Sequence, residues 1–153
     1  MSINIVFSDG KEFSPTKIVA VGRNYSDHIK EMKSEKTSEP VLFIKPTTAL
    51  CDISRPLQIP ANFGEVHHEI ELAVCISRLC KNILPGQAEE YIAGFGLALD
   101  LTLRDIQAEA KKKGLPWAVA KGFDGSCPVS VFRTLPLSGV ENLDLTLLPL
   151  KRH

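Results

Sequence analysis

The chain has 153 residues, 44% of them hydrophobic and 24% charged, enough to enclose one core and unlike a disordered polymer. Eighteen Lys and Arg balance eighteen Asp and Glu, so no bulk charge draws the chain to nucleic acid or to an anionic membrane surface. No apolar run approaches the ~20 residues of a membrane span, and Met1-Ser2-Ile3-Asn4-Ile5-Val6 lacks the basic start of a secretory signal.

Short apolar runs alternate with a few helical segments, which predicts one α+β, mainly β, domain. Strands are expected over 3–8, 17–22 and 40–45. A helix is expected over about 24–33, with Asn24 as N-cap and Asp27 three residues on. Residues 46–64 carry Pro46, Pro56, Pro60 and Gly64, and should be irregular or broken into very short strands. A strand over 65–77 follows, then a helix starting near Pro85 and ending before Gly94, then a strand over 93–100. Thr102 and Asp105 are spaced like a capping box at the head of a third helix. Lys111, Lys112 and Lys113 suit its C-terminal dipole, Gly114 its C-cap, and Pro116 blocks continuation. The last strand is expected over 143–148. Cys51, Cys75, Cys80 and Cys127 form no C-x-x-C pair, which argues against a zinc ribbon and suits buried thiols in a reducing cytoplasm.

The segment 65–76 carries the chemistry. Side chains alternate along a strand, so Val66, His68, Ile70, Leu72, Val74 and Ile76 take one face, and Glu65, His67, Glu69, Glu71, Ala73 and Cys75 the other. Glu69 and Glu71 then point the same way, about 7 Å apart at Cα. The plainer reading is a solvated face of a half-buried sheet. The sharper one is a divalent cation held between carboxylates, where all-oxygen ligation favours Mg²⁺, Mn²⁺ or Ca²⁺ over zinc. Asp100, at the end of a glycine-containing apolar run, supplies a third carboxylate or a helix cap. His67 and His68 are adjacent and face opposite ways, so they do not share a metal.

Other polar residues also have two readings. His28 and Glu31, at i, i+3 on the first helix, make either a surface contact or a general base oriented by a carboxylate. Lys121, between apolar residues and glycines, is a solvated loop lysine or an ammonium aimed at an anion. Arg104 and Gln107, at i, i+3, bind a carboxylate or cover the helix's polar side.

These residues occur in five stretches: Lys17-Ile18-Val19-Ala20-Val21-Gly22-Arg23-Asn24-Tyr25 with His28 and Glu31; Phe43-Ile44-Lys45-Pro46; His68-Glu69-Ile70-Glu71-Leu72; Asp100-Leu101-Thr102-Leu103-Arg104-Asp105-Ile106-Gln107; and Ala120-Lys121-Gly122-Phe123-Asp124. In this order they resemble the fumarylacetoacetate hydrolase family, within it the small acylpyruvase-like members. The resemblance implies a mixed β-sandwich roll, commonly a homodimer. It implies Mg²⁺ or Mn²⁺ on Glu69, Glu71 and Asp100, a catalytic dyad of His28 and Glu31 on a lid, and an active-site Lys121. Arg23, Arg104 and Gln107 would lie near the substrate. Family domains continue for tens of residues past the strand matching 143–147. Here Pro149 removes a ladder donor and the sequence stops at His153, so a domain lacking its C-terminal portion is expected.

The implied chemistry is metal-assisted cleavage of a carbon–carbon bond in an acylpyruvate-type β-dicarbonyl acid. The cation would stabilise the departing enolate, His28 would activate water, and Lys121 would stabilise the oxyanion. An oxaloacetate decarboxylase or tautomerase, or an unsaturated-dicarboxylate isomerase, suits the same constellation. A catalytically silent truncated homologue is the rival from another class. The expected partner is a small 2-oxo acid, with neither nucleic acid nor membrane.

Overall fold

The structure is a computed structural model that describes residues 3–22 and 40–134. The helix expected over 24–33, with Arg23, His28 and Glu31, and the strand expected over 143–148 lie outside the described residues. Among the described residues, no helix is long and apolar enough to cross a membrane.

Strands dominate. Strands β1 (Ile5–Val6) and β2 (Glu12–Phe13) form one antiparallel pair. Strands β3 (Ile18–Gly22) and β4 (Val41–Lys45) form another, with Ile18 opposite Lys45. The third sheet is mixed. It joins β5 (Leu50–Asp52), β6 (Val66–Ile76), β7 (Ile92–Leu103), β8 (Cys127–Val129) and β9 (Arg133–Thr134) in the order β5-β8-β7-β6, with β9 also on β7. The β5–β8 pair is parallel and the others are antiparallel. Very short strands around 46–64 are thus represented by β5, which follows a 3-10 turn over Thr47–Ala49.

The core gathers Phe7, Ala49, Leu50, Cys75, Ala98, Cys127, Val129 and Phe132. Phe7 stacks tilted on Phe13 and Phe132, at 5.2 and 5.7 Å between centroids. The glycines of β7 make room for this packing. A Cβ on Gly96 would stand 2.6 Å from Phe132 Cδ2, and one on Gly94 would strike the Arg133 carbonyl. Gly96→Ala should therefore cost about 1–3 kcal/mol, the range for overpacking a filled core. The check is a lower urea midpoint at unchanged slope, and an unshifted midpoint would contradict it.

Two expectations change at the helices. Helix α1 spans Arg104–Lys113, and Gly114 closes it in the left-handed conformation at φ 64°. Its N-cap is Leu103 with no side-chain cap, not Thr102, because β7 continues to Leu103 and takes Thr102 into the sheet. Asp105 Oδ2 accepts instead from the Glu65 amide at 3.2 Å, tying the helix start to β6. The segment from Pro85 forms a 3-10 helix to Tyr91, ending before Gly94 as expected. Lys121 sits not in a loop but at the end of the short helix α2 (Ala118–Lys121).

The face of β6 that carries the carboxylates is turned inward. Cys75 is buried and Ala73 packs on the core, while Val74 and Ile76 of the apolar face are exposed. Alternation sorts residues into two faces but does not say which one the rest of the chain covers. The plainer reading of a solvated acidic face therefore fails.

Candidate active site

β6 and β7 build the site together. In their antiparallel register Glu69 lies opposite Asp100, His67 opposite Thr102, and Glu71 opposite Ala98. Directly opposed residues share a face, so Glu69, Glu71 and Asp100 stand together on the inward side, with His67 and Thr102 beside them.

Among the described residues, three cations reach this face. Arg104, at the head of α1, donates from Nε to His67 Nδ1 at 3.1 Å, from one terminal nitrogen to Gln107 Oε1 at 2.7 Å, and from the other to Glu69 Oε1. Gln107 is buried beneath it. His67 Nε2 lies 3.2 Å from Glu65 Oε1. Because Nδ1 accepts from Arg104, the imidazole is held as the tautomer protonated on Nε2.

Lys121 is 3% exposed and donates to Glu69 Oε2 at 3.0 Å, to Thr102 Oγ1 at 2.6 Å and to Asp100 Oδ2. Its ammonium lies 5.1 Å from the Phe43 ring centroid, and Phe43 meets Trp117 edge-on at 5.9 Å. The single turn of α2 is closed by its own amides: Lys121 N donates to Trp117 O at 2.9 Å and Gly122 N to Ala118 O at 2.8 Å.

Lys45, the third cation, was not among the expected site residues. It ends β4, is 1% exposed, and sits 2.8 Å from Asp100 Oδ1. It also donates to the carbonyls of Lys121, Ser126 (3.0 Å) and Leu101 (3.4 Å) and to Ser126 Oγ (3.2 Å). Burial pulls its pKa down, and the facing Asp100 offsets part of that pull. Its place after Phe43-Ile44 in one of the five quoted stretches was the signal that could have found it.

Burial alone would push the Glu69 carboxyl up. The Lys121 charge and the hydrogen bonds from Arg104 and Lys121 outweigh it and hold the group down at about 2. Glu69 is therefore ionised throughout the neutral range. Burial pushes the Cys127 thiol up to about 11, so it stays protonated and inert.

The structure thus brings together Glu69, Asp100, Lys121, Arg104 and Gln107, and places Glu71 on the same face. Among the described residues, no group of three His, Cys, Asp or Glu side chains converges as a ready metal site. Glu69 and Asp100 pair with cations of the chain. The donor set nonetheless fits a hard divalent cation. It is all oxygen, it stands on paired strands, and a positive group, the Lys121 ammonium, already rests between Glu69 and Asp100. Asp100 Oδ1 is buried and faces Lys45, yet receives no well-aligned hydrogen bond.

Comparison with known proteins identifies the class. Residues 17–147 match the family model described as fumarylacetoacetate (FAA) hydrolase C-terminal, and the chain belongs to this family. It is 55% identical over 121 residues to the oxaloacetate tautomerase YcgM of Escherichia coli K12, covering 79% of this chain and 55% of that protein. A Yersinia pestis family structure superposes with a TM-score of 0.82 at 52% identity, covering 87% of this chain and 62% of that one. A Pseudomonas aeruginosa fumarylpyruvate hydrolase, solved with Mn²⁺ and pyruvate, gives 0.81 at 32% identity, covering 91% and 61%. The mainly β fold with its mixed sheet is that of these structures. The chain spans about half the length of the curated relatives it matches.

Proposed function

We propose that this chain belongs to a divalent-metal-dependent enzyme that interconverts the keto and enol forms of a small 2-oxo acid, with oxaloacetate as substrate. One observation carries the reading: Glu69, Asp100 and Lys121 meet on the inward face of β6–β7. The 55% identity to an oxaloacetate tautomerase supports the choice of substrate. Glu69, Glu71 and Asp100 would hold Mg²⁺ or Mn²⁺. A bound cation supplies Lewis-acid polarisation of the substrate's 2-oxo group.

The side chains of the chain do the rest. Lys121, released from Glu69 and Asp100, donates to the oxygen on which enolate charge develops, in a largely buried setting beside Phe43 where such a bond is stronger than in water. Arg104 fixes Glu69 and, through Gln107 and His67, is itself fixed, so the carboxylate keeps its aim. His28 and Glu31, outside the described residues, are assigned the transfer of the proton to and from carbon on the strength of the family resemblance. Arg23 completes the substrate's carboxylate contacts. A reducing compartment suits the four free cysteines. The homodimer implied by the family remains part of this proposal, and sedimentation of the purified chain reads it.

Hydrolysis of a carbon–carbon bond, which the sequence placed first, becomes the second reading, favoured by the fold shared with the fumarylpyruvate hydrolase. The deciding experiment offers enol oxaloacetate and acetylpyruvate to the chain, with Mg²⁺ and with EDTA, and identifies the products. Mg²⁺-dependent enol decay, abolished by EDTA and without acetylpyruvate cleavage, is expected. Cleavage of acetylpyruvate alone would transfer the assignment to the hydrolase.

A further inference from the structure

We infer that Lys121 and the divalent cation are mutually exclusive occupants of the Glu69–Asp100 carboxylate pair. The ammonium neutralises the pair while no metal is bound, and metal binding displaces it. The inference rests on the metal-dependent reading above and deepens it, since displacement would free the same ammonium to meet the substrate.

Each of the four oxygens of the pair faces a cation. Glu69 Oε1 faces Arg104 and Asp100 Oδ1 faces Lys45, while Glu69 Oε2 and Asp100 Oδ2 both carry Lys121. Two carboxylates directly opposed on neighbouring strands repel one another unless a cation lies between them. A divalent cation held by Glu69 and Asp100 would compete for the oxygens that Lys121 now contacts, and its charge would disfavour an ammonium left beside it.

The two buried lysines differ in their freedom to move. Lys45 is locked by backbone carbonyls on three sides. Among the described residues, the Lys121 ammonium donates to side chains alone: Glu69, Asp100 and Thr102. Its own backbone is fixed, because its carbonyl accepts from Lys45 and from Ser126 Oγ at 2.9 Å. Displacement is therefore confined to torsions of the Lys121 side chain, with no rearrangement of the sheet.

The test is Mn²⁺ binding by calorimetry at fixed pH and ionic strength, on the wild type, Lys121→Met and Lys121→Arg, each shown to be folded by its melt. Removing an internal competitor should tighten binding in Lys121→Met by about tenfold, since the competent state no longer has to be vacated. Lys121→Arg, which keeps the competing charge, should stay near the wild type. Affinity in Lys121→Met equal to or weaker than wild type would overturn the inference and leave the metal site standing. Failure of every chain to bind Mn²⁺ would overturn the metal-dependent reading itself and this inference with it. Should Lys121→Met not fold, the side-chain ¹⁵N resonance of Lys121 in the wild type decides. It should move in step with Mg²⁺ saturation, and an unmoved resonance at saturation would overturn displacement.

Discussion

Lys45→Met should destabilise the chain by about 3–5 kcal/mol, the range for removing one partner of a buried ion pair. Lys45 closes the site from below: its ammonium faces Asp100 Oδ1 and ties β4 to the carbonyls of Leu101, Lys121 and Ser126. A methionine fills the volume of the stem but strands these acceptors and leaves Asp100 with a single lysine. Domains keep about 5–15 kcal/mol in hand, so the variant should be marginal. Urea unfolding measures it, with Lys81→Met, on an exposed lysine, as a control expected within about 0.5 kcal/mol of wild type. Asp100→Asn should cost less in the Lys45→Met background than alone, since the residues are in contact. A Lys45→Met chain as stable as the control would contradict the role assigned to Lys45.

Lys121→Met should lower kcat for Mg²⁺-dependent enol decay by ~10²–10³-fold, the loss that follows removal of one preorganised donor. This variant should also lose stability, because the opposed carboxylates lose the cation between them, but Arg104 on Glu69, Lys45 on Asp100 and saturating metal should keep it folded for the assay. The initial rate at saturating substrate and metal isolates the chemical step from binding. Slower turnover together with tighter Mn²⁺ binding separates the two roles of one ammonium: catalytic when displaced, neutralising when not. An unchanged kcat would remove Lys121 from the reaction.

The long elements of this chain were legible because they are patterned. Alternation over 65–77 foreshadowed β6, the glycine-spaced apolar run foreshadowed β7, and the lysines before Gly114 marked the end of α1. Glu69 and Asp100 were named together as carboxylates on two strands and through the family resemblance, while the register that sets them opposite one another appears only in the fold. The inward orientation of the acidic face was not legible, because only tertiary cover decides it. Thr102 misled because its spacing to Asp105 satisfies a local capping rule, and a continuing strand overrode that rule. Lys45 stood in the quoted Phe43-Ile44-Lys45-Pro46 stretch but was not read as a site residue, because its partners, Asp100 nearest among them, lie 55 to 81 residues away. The same holds for β8, a three-residue strand that exists by pairing with β5 and β7.

The claim on which the account depends is that the β6–β7 carboxylates hold a divalent cation. Mn²⁺ titration of the wild type against Glu69→Gln and Asp100→Asn, followed by the resonance of free Mn²⁺, measures it directly. The account predicts one ion per wild-type chain and a loss of affinity of ~100-fold or more in either variant, at or beyond the top of the range for outer-sphere partners of a metal. Undiminished binding in both variants, or none in the folded wild type, would contradict it.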